Sequence, residues 1–148
     1  MNIKNKKSLG QNFIFDKNFL KKISSFIETN SDNVLIEIGP GPGTLTEFLY
    51  KKKFKKLILI EKDLRLLDNL NNNFCSNKID IFNEDALNFD FQLNDLKNSI
   101  IVGNLPFNIS VDLLYLLTKL QKWPPNQIKM VLMFQKEVAN RIMADPNN

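Results

Sequence analysis

Short apolar runs alternate along the chain with longer segments in which apolar residues recur at helical spacing. The short runs predict five strands. These strands cover Val34–Ile38, Leu57–Ile60, Ile79–Phe82, Ile100–Val102 and Ile128–Phe134. The periodic segments predict helices over 17–29, from Thr44 onward, over 63–72, from Ser110 through Leu120, and over 136–144. Because strands and helices alternate, the pattern predicts an α/β fold, with a mostly parallel sheet that carries helices on both faces.

Polar residues next to these segments indicate where three of the helices begin. Asp16 stands directly before the first helical segment and is a typical N-cap residue. Thr44 and Glu47 have the spacing of a capping box, which predicts that the second helix starts at Thr44. Ser110 can cap the leucine-rich fourth helix.

Three glycines follow the first predicted strand, at Gly39, Gly41 and Gly43. Glycine lets the backbone approach a ligand closely, and the first N–H groups of the following helix point into the same crevice. The dinucleotide fingerprint G-x-G-x-x-G has its third glycine where this chain has Thr44, so the spacing disfavours a pyrophosphate-bearing cofactor. A tight strand–helix turn with no ligand remains the alternative.

Polar side chains also follow the next strands, and ligands of parallel sheets bind beyond the carboxyl ends of strands, near the point where the strand order reverses. Glu61 lies 22 residues after Gly39 and can accept hydrogen bonds from both hydroxyls of a ribose. Asp85 can accept from the exocyclic amine of an adenine in the same nucleoside. The alternatives are a solvated strand-end acid for Glu61 and an N-cap for Asp85.

The stretch Asn104-Leu-Pro-Phe107 combines hydrogen-bond acceptors with an aromatic ring. Asn104 offers a side-chain carbonyl, Pro106 makes a rigid turn with a backbone carbonyl, and Phe107 offers a stacking face. Extruded bases are held in this way, by stacking and by acceptors around an amino group. The alternative is a proline turn with a phenylalanine that belongs to the core.

Composition narrows the possible chemistry. The 148 residues, of which 43% are hydrophobic and 24% charged, suit one domain with a buried core. Histidine is absent, which excludes Ser-His-Asp and Cys-His catalysis. Cys75 is the only cysteine, so the chain has no disulfide framework and no cysteine pair for zinc. Glu84 and Asp85 without histidine make a poor ligand set, and we expect no metal.

Charge and hydropathy bear on partners and location. The net charge is +4, and the first 56 residues hold 11 lysines against 5 acids, which favours a polyanionic partner such as nucleic acid. A codon bias toward lysine, which outnumbers arginine 18 to 2, would explain the same excess. No apolar run approaches the roughly 18 residues of a membrane span, and no signal-peptide core follows the N-terminal lysines. We therefore expect a cytoplasmic protein without a membrane partner.

Five stretches of the chain resemble, in order, the motifs of the ribosomal RNA adenine dimethyltransferases, which use S-adenosyl-L-methionine. These stretches are Lys7-Ser-Leu-Gly-Gln-Asn-Phe13, Glu37-Ile-Gly-Pro-Gly-Pro-Gly-Thr-Leu-Thr46, Glu84-Asp-Ala-Leu87, Asn104-Leu-Pro-Phe-Asn-Ile-Ser110 and Phe134-Gln-Lys-Glu-Val-Ala139. The resemblance spans nearly the whole chain. It implies a Rossmann-like class I methyltransferase fold and the dimethylation of N6 on two adjacent adenines of small-subunit (16S) rRNA, a step of ribosome biogenesis.

The resemblance also implies a role for each candidate residue. Cofactor contacts would come from Asn12, Ile14, the loop of Gly39 and Gly41, Glu61 at the ribose, Asp85 at the adenine amine, and Asn104 beside the methyl donor. The target amine would be held by Asn104 and the Pro106 carbonyl, with Phe107 stacked on the target base. The family often has tyrosine at position 107, and phenylalanine keeps the stacking face. The implied partner is small-subunit rRNA or the pre-30S particle, and the implied state is a monomer.

The length of the chain departs from the family. Family members continue past position 148 with two more strands and a helical C-terminal domain that helps to bind RNA, whereas this chain stops at Asn148. We therefore expect residues 1–148 to be a methyltransferase domain that is incomplete at its C-terminus, truncated after the fifth strand and its helix. Such a fragment should bind S-adenosylmethionine but methylate rRNA poorly or not at all.

Three rival functions remain. A sister branch methylates large-subunit rRNA and confers antibiotic resistance, but it often has isoleucine where this chain has Leu105. A non-catalytic RNA-binding assembly factor would retain the fold alone. A dinucleotide oxidoreductase is disfavoured by the missing third glycine.

Overall fold

The computed structural model of the chain describes residues 9–91, 98–119 and 129–145. Within these ranges helices and strands alternate, apart from the third and fourth strands, which are consecutive in the element order. The helices are α1 (Lys17–Ser25), α2 (Thr46–Tyr50), α3 (Leu64–Asn73), α4 (Ser110–Thr118) and α5 (Lys136–Met143). The strands are β1 (Val34–Ile38), β2 (Lys56–Glu61), β3 (Ile79–Asn83), β4 (Ser99–Asn104) and β5 (Lys129–Met133). Leu120 and Ile128, where we predicted a helix end and a strand start, lie outside the described residues.

The strands form one sheet in the order β3-β2-β1-β4-β5, and every neighbouring pair is parallel. The chain steps outward from β1 through β2 to β3 and then returns to the other side of β1 with β4. The strand order therefore reverses between β1 and β4, and a crevice opens at the carboxyl ends of these two strands. The parallel sheet predicted from the sequence is confirmed.

The apolar side chains of the strands alternate between two cores, one on each face of the sheet. One core joins Leu35 of β1 to residues of α1, α2 and α3. The other joins Ile36 of β1 to α4, which contributes Leu113 and Leu117. Each fully buried leucine or isoleucine stabilises the fold by about 1.5–3 kcal/mol. Helices thus cover both faces, as predicted. No helix of the described ranges is long and apolar enough to cross a membrane.

The helix starts agree only in part with the predicted caps. Asp16 caps α1 and accepts hydrogen bonds from the N–H groups of Asn18 and Phe19. The predicted capping box at Thr44 is wrong, because α2 begins at Thr46 without a side-chain cap. The Gly43 carbonyl already accepts the Glu47 N–H at 3.0 Å, so the backbone of the glycine loop satisfies the first turn.

Two further helix boundaries differ from the sequence pattern. Ser110 does not cap α4, since the capping position is Ile109 and the Ser110 hydroxyl donates to the Phe107 carbonyl at 3.3 Å. Helix α1 ends at Ser25 and not at residue 29, because the Ile27 N–H donates to the Ser24 carbonyl in a tightened last turn.

Candidate active site

One pocket opens at the crevice between β1 and β4 and is covered by the stretch 9–16, here named the N-terminal segment. It brings together the candidate residues Asn12, Ile14, Gly39, Gly41, Glu61, Asp85, Asn104 and Pro106. Phe107 does not line this pocket and lies exposed beside it, next to Pro106. Topology explains this convergence, because parallel strands bring their carboxyl ends to the same edge of the sheet.

The three glycines after β1 all have left-handed backbone conformations, with φ values of +65° at Gly39, +60° at Gly41 and +87° at Gly43. A Cβ atom at Gly39 would meet only Pro106 Cδ, at 3.9 Å. At Gly43 it would come within 2.6 Å of the buried Phe74 ring. The first glycine therefore keeps the pocket open, whereas the third lets α3 pack closely against the loop.

Glu61 is a buried carboxylate that two backbone groups hold in place. Its Oε2 atom accepts the Gly41 N–H at 3.0 Å, and its Oε1 atom accepts the Asp63 N–H at 2.8 Å. Burial raises the pKa of Glu61, and these hydrogen bonds oppose the rise. Each carboxylate oxygen can accept a second hydrogen bond. The side chain is thus preorganised to receive hydroxyl donors from the pocket.

Asp85 lines the pocket as one member of an ion pair. Lys62 Nζ lies 2.6 Å from Asp85 Oδ2, and the Leu87 N–H donates to Oδ1 at 3.1 Å. The Lys62 hydrogen bond is the main cause that lowers the pKa of Asp85, so the carboxylate stays ionised as an acceptor. The alternative role of Asp85 as an N-cap is confirmed in part, because its carboxylate accepts the Leu87 N–H in the turn that follows.

Asn104 is fixed by the N-terminal segment. Its Nδ2 group donates to the Asn12 backbone carbonyl at 2.7 Å, which leaves Oδ1 as the acceptor of the amide. On the opposite side, Gln11 donates to the buried carboxylate of Asp63 at 2.8 Å. The segment is therefore hydrogen-bonded to the last residue of β4 and to a residue just after β2, and it bridges the pocket between these two strands.

The turn after β4 presents the remaining candidates. The Pro106 carbonyl accepts the Ile109 N–H at 3.1 Å and keeps one further acceptor position. Phe107 is 44% exposed. The alternative of a core phenylalanine at this position is therefore wrong.

Sequence reasoning missed Glu37, a further carboxyl group that lines the pocket. It is 2% exposed, and its Oε2 accepts the Thr46 hydroxyl at 2.7 Å. Burial raises the pKa of Glu37 to about 8, and the nearby charge of Glu61 adds to the rise. The available signal was an acid inside an otherwise apolar strand. Lys62, also missed, carries no signal that separates it from other exposed lysines.

Comparisons with known proteins show which family the chain resembles. The family model of ribosomal RNA adenine dimethylase matches residues 2–148. The ribosomal RNA small subunit methyltransferase A of Pelagibacter ubique is 44% identical over 155 residues, which cover 100% of this chain and 56% of the relative. The protein of the same name from Nitrobacter winogradskyi is 42% identical over 96% of this chain and 50% of its own length.

A solved structure is similar as well. The crystal structure of a dimethyladenosine transferase from Plasmodium falciparum superposes with a TM-score of 0.77 at 28% identity, covering 93% of this chain and 48% of the other. The chain thus spans about half the length of the curated relatives it matches. The match to the family model over residues 2–148 shows that the chain belongs to the ribosomal RNA adenine dimethylase family.

Proposed function

We propose that the pocket binds S-adenosylmethionine and that the protein dimethylates N6 of two adjacent adenines in small-subunit rRNA. One observation carries the proposal: Glu61 and Asn104 line the same pocket, each held by hydrogen bonds to the backbone. The Glu61 carboxylate suits the hydroxyl groups of a nucleoside, and the Asn104 amide oxygen suits an amine. The names of the curated relatives support the choice of the small subunit over the large one.

The residues that are present fit this cofactor. Glu61 retains acceptor positions for two ribose hydroxyls, and the ionised Asp85 suits an exocyclic amine. The space beside Gly39 is open because this residue has no Cβ atom. The methionine part of the cofactor would lie in this space, along the loop that contains Gly39 and Gly41. Asn12 and Ile14 would close the cofactor from the N-terminal side. When bound, S-adenosylmethionine supplies a methyl group on a sulfonium, which is an excellent leaving group.

Residues after β4 would prepare the acceptor adenine. Asn104 Oδ1 and the Pro106 carbonyl can each accept one N–H of the target amine, and Phe107 offers its exposed ring for stacking. Accepting both N–H groups favours a pyramidal nitrogen and frees its lone pair. The proton of the alkylated nitrogen is acidic and can leave to water, so no histidine is required. The protein contributes positioning and electrostatics.

The partners follow from this reaction. We infer that a monomer acts in the cytoplasm on small-subunit rRNA within the pre-30S particle. The net charge of +4 and the names of the relatives support an RNA partner.

Methyl transfer from labelled S-adenosylmethionine, offered in parallel to unmodified 30S particles and to unmodified large-subunit rRNA, tests the proposal. The chain is assayed alone and fused to the remaining part of the Pelagibacter ubique relative. We expect N6,N6-dimethyladenosine in small-subunit rRNA from the fusion and little from the chain alone. Asn104→Ala should abolish the label in the fusion. Label in large-subunit rRNA would favour the resistance enzyme, and a fusion that binds RNA without transfer would favour the assembly factor.

A further inference from the structure

Aromatic rings are exposed along helix α1 and just before it. Phe15 just before the helix is 65% exposed, Phe19 is 42% exposed, and Phe26 at its end is 62% exposed. The helix is held to the sheet by other residues, Leu20 and Ile27, which are buried in the core of that face. The exposed phenylalanines are therefore not needed to attach α1.

A lysine lies between two of these rings. Residues 17–25 contain Lys17, Lys21 and Lys22 and no acid. Phe19 and Phe26 are seven residues apart and so lie on the same side of the helix, with Lys22 between them. The carboxylate of Asp16 is engaged as the N-cap. Lys17 and Lys21 are each two residues from Phe19 and therefore lie on the other side of the helix. We name the surface formed by Phe15, Phe19, Lys22 and Phe26 the α1 face.

The α1 face is continuous with the pocket. The Phe15 ring packs edge-on against Phe13, with ring centroids 6.5 Å apart. Phe13 lies directly over Gly41, where a Cβ atom would come within 2.9 Å of the ring. The preceding residue, Asn12, holds Asn104 through its carbonyl. A ligand that enters the site beside Asn104 can therefore continue along Phe15 onto α1.

Exposed aromatic rings interleaved with cations are the chemistry that binds single-stranded nucleic acid, because bases stack on the rings and phosphates pair with the cations. The spacing also suits this ligand. Phe19 and Phe26 lie about 10 Å apart along the helix axis, which is about three base steps of about 3.4 Å.

We infer that the α1 face binds the single-stranded RNA that flanks the target adenine, with bases on the phenylalanines and a phosphate on Lys22. This inference rests on the proposed function and names the surface through which that site takes its RNA. An anionic lipid surface would be attracted by the same charges, and the experiment distinguishes it from RNA.

The test measures binding of a fluorescein-labelled single-stranded RNA loop to the intact chain by anisotropy, over a series of salt concentrations. The double variant Phe19→Ala/Phe26→Ala removes two rings, and Lys22→Gln removes the charge between them. The matched control is Lys21→Gln, which removes the same charge from the other side of the same helix. Titration with S-adenosylmethionine and circular dichroism accompany each variant.

We expect each lost ring to weaken RNA binding about 5- to 100-fold. The Lys22→Gln variant should reduce the salt slope of log K by about 0.7, the contribution of one phosphate contact on a single strand. RNA binding by the Lys21→Gln control and the cofactor affinity of all variants should change little. Unchanged RNA binding in the α1 variants, or an equal loss in the control, would overturn the inference.

Two other outcomes would also overturn it. One is the absence of RNA binding by the unmodified chain. The other is tight binding to phosphatidylglycerol vesicles that exceeds binding to RNA and is lost in the α1 variants, which would assign the face to a membrane surface. Failure of the unmodified chain to bind S-adenosylmethionine would instead refute the proposed function, and the RNA titration reports on the α1 face separately.

Discussion

The glycine loop after β1 allows stability and ligand binding to be separated with two matched substitutions, Gly39→Ala and Gly43→Ala. Both residues have left-handed backbones, with φ of +65° and +87°. Alanine in this conformation costs about 1–2 kcal/mol, offset in part by about 0.4–1 kcal/mol from the stiffer unfolded chain. The backbone alone therefore predicts a loss of about 1 kcal/mol of unfolding free energy at either position.

The surroundings of the two Cβ atoms differ. At Gly43 the new methyl group would lie 2.6 Å from Phe74 Cε2 and 3.3 Å from a Leu70 methyl, and both side chains are buried in the core. Overpacking of this kind costs about 1–3 kcal/mol more. At Gly39 the methyl group has only Pro106 Cδ within 4 Å and would stand in the pocket.

We therefore expect opposite patterns from the two variants. Gly43→Ala should lose about 2–4 kcal/mol of unfolding free energy but keep its affinity for S-adenosylmethionine where it is folded. Gly39→Ala should lose only about 1 kcal/mol but bind S-adenosylmethionine at least about tenfold more weakly, which corresponds to about 1.4 kcal/mol.

Urea denaturation followed by circular dichroism gives the free energies, and calorimetric titration at low temperature gives the affinities. Equal stability losses would show that Phe74 and Leu70 move aside freely, and would refute the packing argument. Unchanged affinity in Gly39→Ala would refute the placement of the ligand along the loop.

Three further outcomes can be checked on single variants. Burial raises the pKa of Glu37 from 4.5 to about 8. Its neutral form therefore stabilises the fold at low pH, and this contribution is lost as the pH rises from 4.5 to about 8. In this pH range Glu37→Gln should remove up to about 1.4 kcal/mol per pH unit from the slope of the unfolding free energy measured in urea. Hydrogen bonds from Arg65 hold the pKa of Asp63 well below its usual range. The ionised carboxylate therefore stabilises the fold above pH 3.8, and this stabilisation is lost on acidification. Asp63→Asn should lower the unfolding free energy by about 1–3 kcal/mol at neutral pH and weaken its fall at acidic pH. Phe107→Ala should leave stability and cofactor affinity unchanged but slow methyl transfer to rRNA by the fusion about 5- to 100-fold, and a normal rate would exclude stacking on this ring.

The sheet could be predicted from the sequence because its strands are short, buried and rich in β-branched residues. Strand β1 was predicted with its observed bounds, Val34–Ile38. The predicted capping box at Thr44 was wrong, since the backbone of Gly43 takes the place of a side-chain cap. Local sequence patterns describe side chains, and they do not reveal when a neighbouring carbonyl has already satisfied an N–H group.

The candidate site could be predicted where topology alone decides position, as for Glu61 at the end of β2. Partners that meet only in the folded chain were not predictable. Asn104 and Asn12 are 92 positions apart, and no local pattern indicates their hydrogen bond. The ion pair between Lys62 and Asp85 likewise depends on the pairing of β2 with β3.

Calorimetric titration with S-adenosylmethionine, comparing the chain with its Glu61→Gln variant, tests the central claim most directly. The control is Glu47→Gln, which changes an exposed acid of α2 away from the pocket. We predict saturable one-to-one binding by the chain and by the control. Because a hydrogen bond to a carboxylate contributes about 1.5–3 kcal/mol, Glu61→Gln should weaken binding about 10- to 100-fold. No binding by the unmodified chain, or equal affinity in the Glu61 variant, would contradict the assignment of this pocket to the cofactor.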